Sequence, residues 1–390
     1  MKGTRTRQAT CAGGDLWPPP ASLLLFFLIV PHLGQAQRSP PQPALALAHV
    51  TVIDATGAPA QPDMTLLITG DRIRTIGKDG SVAIPKEAHV VDASHKSLIP
   101  GLWDMHMHIF NNVSGRAPNE FYLPLFVANG VTGVRDMWTK PENMDYVRDW
   151  RVEMGAGRRL GPRIAAVGTI VDGPKPWFPS AMVTTADDGR RIVDSLKRAG
   201  VDFVKVLSLV PRDAYFGIVQ EARNQGIPFA GHVPMSVSAA EASNAGQKSF
   251  EHLYGILLSC SARETELMAQ MLEAINRPGV SSGAYASGRV QLAALLDSYD
   301  PGKAQRLFAL LRKNGTWQVP TLIVKRPAAV NYSGSVTHDA RLKYIPAWML
   351  EEWRSETGGV RTPQQVADSR RLFTGSWSWC APCTTRASSS

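Results

Sequence analysis

The sequence predicts an α/β protein: a (β/α)8 TIM-type barrel lacking strand eight, with a small N-terminal β-sandwich subdomain. Three observations carry this. From Gly101 onward, short apolar runs alternate with amphipathic stretches that end at glycine, the pattern of parallel strands joined by right-handed helical crossovers. Polar residues recur at the C-terminal ends of those runs, where such barrels place their sites. Residues 45–98 instead read as β-branched runs broken by Thr-Gly, Gly-Asp and Lys-Asp-Gly turns, which suggests a small antiparallel β unit.

The strand candidates of the barrel, residues 99–373, are "GLWDMHM", "GVTGVRDM", "PRIAAVG", "VDFVKVLS", "IPFAGHV", "KSFEHLY" and "WQVPTLIV". Between them, "DDGRRIVDSLKRAG" and "RDAYFGIVQEARNQG" have helical character, each closed by a glycine suited to a C-terminal cap. Further on, "RTPQQVADSRRLF" reads as a helix start, with Thr362 and Gln365 as a capping box and Pro363 at the first position. Residues 374–390 carry no apolar period and differ in composition from everything upstream.

At the other end, Lys2, Arg5 and Arg7 precede the apolar run "ASLLLFFLIV", and Gly34 and Ala36 suit cleavage after Ala36. A run of about ten apolar residues is too short to span a bilayer but fits a signal-peptide core. Residues 1–36 are therefore read as a signal peptide, the product as periplasmic or secreted, with no stable membrane span after cleavage. Although the formal net charge is +9, no block of like charge or basic stripe is present, which argues against nucleic acid. Four cysteines, two of them near the C-terminus, make no disulfide framework.

Four strand candidates carry a metal-ligand type near their C-terminal ends. His106 and His108 lie two apart, so on a strand both face one way. His232 and His252 follow on the fifth and sixth candidates, and Lys205 sits inside the fourth. Burying four such imidazoles without a metal would require a partner for every ring nitrogen. Lys205 has two readings. It snorkels outward as a surface lysine, or it is carboxylated on its amine and becomes an anionic bridge between two metals. Arg135 and Tyr254 are candidates for substrate binding. Equally, Arg135 with Asp136 could form an ordinary strand-end ion pair and Tyr254 could simply pack. Glu251 alternates to the strand face opposite His252, which favours a structural role.

In this order, "IPGLWDMHMH", "GVTGVRDM", "VDFVKV", "FAGHVP" and "SFEHLYG" resemble the amidohydrolase superfamily, in its imidazolonepropionase-like and Xaa-Pro dipeptidase-like branch, over residues 45 to 325. The resemblance implies one or two divalent metals, Zn2+ by the donor types. His106 and His108 would bind one, His232 and His252 the other, and a carboxylated Lys205 would bridge them. It implies hydrolysis of an amide-like C–N bond in a small molecule or dipeptide by a metal-activated water. A mononuclear cyclic amide or amidine hydrolase is the alternative, and a homo-oligomer is compatible with either. The family pattern also calls for an aspartate at the end of strand eight to take the water's proton. No aspartate follows Asp368, itself inside the expected helix. No catalytic residue is therefore assigned. The tail is expected to be frame-shifted or truncated, and the product to be an impaired or inactive enzyme.

Overall fold

A computed structural model describes residues 44–110, 119–176, 178–277, 292–324, 340–356 and 362–384. The expected signal segment, residues 1–36, lies outside the described residues. The chain divides into two compact units.

The first unit contains β1 (Ala44–Val52), β2 (Gln61–Thr69), β3 (Arg72–Lys78), β4 (His89–Asp92) and β5 (Ser97–Leu98). They form a single sheet in the order β3-β2-β1-β4, with β5 also on β1. The pairs β1–β2 and β2–β3 are antiparallel, but β1–β4 and β1–β5 are parallel. The expected antiparallel sandwich is thus corrected to one mixed sheet. After β3 the chain does not fold back as a hairpin but passes to the other side of β1. Alternation on β1 buries Ala46, Ala48, Val50 and Val52, while His49 interrupts the register with a positive φ of 59°.

The second unit contains β6 (Leu102–Met107), β7 (Val131–Asp136), β8 (Arg163–Ala166), β9 (Val171–Asp172), β10 (Ala181–Met182), β11 (Val204–Val206), β12 (Phe229–Gly231), β13 (Ser249–Glu251) and β14 (Trp317–Val319). All seven strand candidates contain a strand; β9 and β10 are short additions. The strands form two parallel sheets, β6-β7-β8 and β10-β9-β11-β12-β13-β14. Among the described residues no strand follows β14, and closure into a barrel is not seen.

Period-two alternation sets what each face does. Val204, Val206, Phe229 and Phe250 join a core with Tyr215, Ile218 and Leu311 from the helices. Lys205, between two of those valines, is turned to the opposite face. On the three-stranded sheet Val134 and Ile164 pack with Leu123, Val147 and Trp150.

The two expected helices form as α3 (Ala186–Arg198) and α4 (Arg212–Asn224); α1 (Tyr122–Ala128) and α2 (Met144–Gly155) precede them. Thr185 and Asp188 make a reciprocal capping box at the start of α3. The pair packs through glycines. A Cβ on Gly217 would lie 2.2 Å from the carbonyl oxygen of Ala186, and one on Gly189 2.3 Å from that of Ala214. Gly217→Ala should therefore destabilise the chain by about 1–3 kcal/mol, read as a lower thermal midpoint. An unchanged midpoint would mean that the helices do not need this approach.

The later helices are α5 (Ala239–Asn244), α6 (Ile256–Ser259), α7 (Glu264–Asn276), α8 (Leu292–Asp297), α9 (Pro301–Asn314), α10 (Ala347–Glu356) and α11 (Pro363–Thr384). The Thr362 cap is present: its hydroxyl accepts from the Gln365 amide at 3.2 Å, and Gln365 returns a bond to the Thr362 amide at 2.9 Å. α11 runs on to Thr384, into the segment without an apolar period. Once a cap has nucleated a helix, each added residue costs little. No helix among the described residues is long and apolar enough to cross a membrane.

Candidate metal centre

The four histidines picked from the sequence come together. Their rings form a chain, with centroid distances of 5.1 Å from His108 to His106, 4.4 Å from His106 to His252 and 5.2 Å from His252 to His232. Tyr254 lies against the last two, at 4.9 and 4.8 Å. Lys205 is 3% exposed, and its ammonium acts on His106, His108 and His232.

Each ring arrives by a local feature of its strand. Asp104 accepts from the His106 amide at 3.0 Å and steadies the end of β6, whereas Trp103 lies against Gly133 on the neighbouring strand. Past His108, the buried Asp136 carboxylate accepts from the amides of Ile109 and Phe110, at 2.6 and 3.2 Å, and from the Thr139 hydroxyl. Burial pushes this carboxyl up to about 6, against those donors. Asp136 therefore acts as a backbone clamp, not as the strand-end ion pair considered from sequence. His232 follows Gly231, whose φ is +128°.

His252 departs from simple alternation. Were β13 to continue, it would share the core face of Phe250. Instead His252 and Leu253 take left-handed φ values of 60° and 59°, turning the ring back among the other histidines. Glu251 is on the inner face by alternation, so both neighbours reach the same place.

Glu251 is the residue that sequence reasoning undervalued. Fully buried, it accepts at Oε1 from the Arg135 guanidinium at 2.6 Å and the Ser249 hydroxyl at 2.7 Å. Its Oε2 lies 2.7 Å from His106 Nδ1. The rest of the Arg135 guanidinium donates to the Met105 carbonyl at 2.8 Å and to Ser249 at 3.1 Å, and stacks over Phe203. Arg135 is thus bonded through Nε, Nη1 and Nη2 to Met105, Ser249 and Glu251. Removing Glu251 alone would strand a largely buried cation, at a cost of about 3–5 kcal/mol.

The outer nitrogens of two further rings also have partners. His232 Nδ1 is 2.8 Å from the Ser208 hydroxyl, and His252 Nδ1 is 2.7 Å from that of Thr321. Neither hydroxyl stands out in the sequence, where each reads as an ordinary strand-end residue.

Burial, then Lys205, holds His108 down at about 3. Burial foremost, with the neighbouring cations and rings, holds His106 and His232 well below the ordinary histidine range. Neutral imidazole is the ligating form. Burial also pushes Lys205 down to about 8, opposed by the Glu251 and Asp136 charges. Among the described residues, His106 Nε2 and His108 Nδ1 are buried with no hydrogen-bond partner. Buried polar atoms are seldom left so. Orphaned nitrogens on neutral rings, with further imidazoles and a lysine beside them, fit a divalent ion of the zinc type.

A second group of ligand type occurs in the first unit: His49, Asp63 and Asp79, with one possible ligand atom from each within 4.8 Å of the others. His49 Nδ1 is 3.0 Å from Asp63 Oδ1, and that bond, then the Asp79 charge, raises the ring's pKa. The group is read as a surface ion pair.

No protein-family model matches the sequence. The chain is similar to a dihydroorotase of Syntrophobacter fumaroxidans, at 30% identity over 183 residues, 42% of this chain and 37% of that one. It thus spans only 37% of that curated relative. Among solved structures it is similar to a bottromycin amidohydrolase, with a TM-score of 0.60, 21% identity, and coverage of 85% of this chain and 64% of that one. A Xaa-Pro dipeptidase with bound methionine in its active site gives a TM-score of 0.53 at 16% identity, covering 85% and 77%. Identities this low speak for the fold. The chain has the α/β fold of these amidohydrolase structures, and part of it has a distant sequence likeness to dihydroorotases.

Proposed function

We propose that this chain is a metal-dependent hydrolase of amide-like C–N bonds, built on seven strands of a (β/α)8 barrel. The observation that carries the reading is the pair of buried, partnerless nitrogens, His106 Nε2 and His108 Nδ1, in a cluster of neutral rings. A bound divalent ion supplies an acidified water and polarises the carbonyl under attack. His106 and His108 would hold one ion, and His232 and His252 a second.

Lys205 fits the bridging part. A buried amine brought down to about 8 carries a share of its free base near neutral pH. Adding CO2 forms an N–C bond, releases a proton and replaces a cation among the imidazoles by an anion. Tyr254 is read as lining the substrate space, and Arg135 as support beneath the site. The relatives are named a dihydroorotase, an amidohydrolase and a dipeptidase. Those names support small amides or dipeptides as the substrate class.

The test is metal content, together with hydrolysis of a panel of Xaa-Pro dipeptides, N-acyl amino acids and cyclic amides, with and without a chelator. A chain that binds no metal and cleaves nothing overturns the proposal. Lys205→Met separates two centres from one: bound metal should fall from two per chain towards one. One metal per chain in both wild type and variant favours the mononuclear alternative.

A second reading, a metal-binding chain without turnover, has two observations in its favour. Glu251 is committed to His106, Arg135 and Ser249, and no eighth strand with an aspartate follows β14 among the described residues. Activity appearing only when such a strand is supplied would establish it.

A further inference from the structure

We propose that Glu251 is the positioning residue of the first histidine: it fixes His106 as the Nδ1–H tautomer and leaves Nε2 as the atom open to a ligand. This rests on the metal-centre reading above for its purpose, but not for its geometry.

The argument is an account of donors and acceptors. Glu251 receives three contacts: Arg135 and Ser249 at Oε1, and His106 Nδ1 at Oε2. The guanidinium and the Ser249 hydroxyl take up Oε1 as donors, at 2.6 and 2.7 Å, which leaves Oε2 to face His106 as an acceptor. A carboxylate oxygen accepting at 2.7 Å from an imidazole nitrogen places the hydrogen on that nitrogen. A neutral ring has one N–H, so the proton sits on Nδ1 and Nε2 is bare. Nε2 is also the His106 nitrogen with no partner among the described residues.

Three strands make the arrangement rigid. Glu251 and Ser249 come from β13, Arg135 from β7, and His106 from β6. Arg135 also donates to the carbonyl of Met105, the residue before His106. The ring is thereby held at its nitrogen and its backbone by one buried unit. Outer partners of this kind fix the tautomer and orientation of ligating histidines and raise their basicity. His108 differs, since its partnerless atom is Nδ1. Glu251 thus acts on only one histidine of the pair.

The test reads the tautomer first. Imidazole 15N shifts of the metal-free full chain, assigned with His106→Gln, should show His106 protonated at Nδ1 in the wild type. In Glu251→Gln that preference should weaken, and zinc affinity, measured by competition with a chromophoric chelator, should fall about 10–100-fold. Glu251→Asp should restore much of both. Arg135→Gln/Glu251→Gln removes both charges together and should show the same zinc loss without a stranded cation, should the single variant not fold.

A wild-type His106 protonated at Nε2, or a Glu251→Gln chain that binds zinc as tightly as wild type, overturns the proposal. A wild type that shows the Nδ1–H tautomer but binds no zinc supports the positioning role and overturns the metal-centre reading alone.

Discussion

Replacing His106 and His108 together by alanine is expected to remove zinc from that end of the cluster and to lower hydrolysis of any substrate by about a thousandfold or more. A thousandfold corresponds to about 4 kcal/mol of barrier, within the several kcal/mol that a bound divalent ion contributes to such reactions. The fold should survive, because Ile109 and Phe110 are fully buried in the adjoining core and remain in place. Thermal melting, metal content after dialysis and initial rates on the same sample separate the effects. A double variant that keeps its full complement of metal would show that the orphaned nitrogens serve another purpose.

The second large effect is expected at Gly231→Ala. Here φ is +128°, and an added Cβ would lie 2.1 Å from the Val206 carbonyl oxygen and 2.9 Å from the Val206 amide nitrogen. The chain cannot swing away cheaply, because Gly231 is paired with Val206 across β11–β12 and the His232 amide donates to that same carbonyl at 2.9 Å. Overpacking costs about 1–3 kcal/mol and a forced backbone conformation about 1–3 more. A destabilisation of about 2–6 kcal/mol is therefore expected. Zinc affinity should fall with it, since His232 is the next residue. Denaturant unfolding and zinc competition check both parts, and unchanged stability would show that the strands tolerate a side chain at this point.

Much of this arrangement was legible in the sequence because two signals there are strong. Strands with apolar outer positions, such as Val204 and Val206 around Lys205, announce their inner residues by alternation alone. Helices such as α3, with Gly200 after it, announce their C-terminal ends by capping chemistry. What stayed hidden depends on backbone turns and on partners far apart in the chain. His252 reaches the cluster through a left-handed turn that no period predicts. Glu251 and His106 are separated by 145 positions, and their contact follows only from the strand order. Ser208 and Thr321 are common residues whose meaning depends on the ring that each meets. In the N-terminal sheet the β-branched runs were clear, but the direction in which β4 joins β1 depends on how the chain crosses over, which local turn residues do not determine.

The left-handed turn at His252 and Leu253 acts as a lever across one peptide. On one side is a ring of the cluster; on the other, Leu253 is seated in the main core and only 6% exposed. A shift of that leucine in its seat rotates the peptide that carries the imidazole. The hydrophobic interior and the chemistry above it are therefore mechanically geared, and a chain loosened at Phe250 or Leu253 would lose the aim of its histidine before losing its shape.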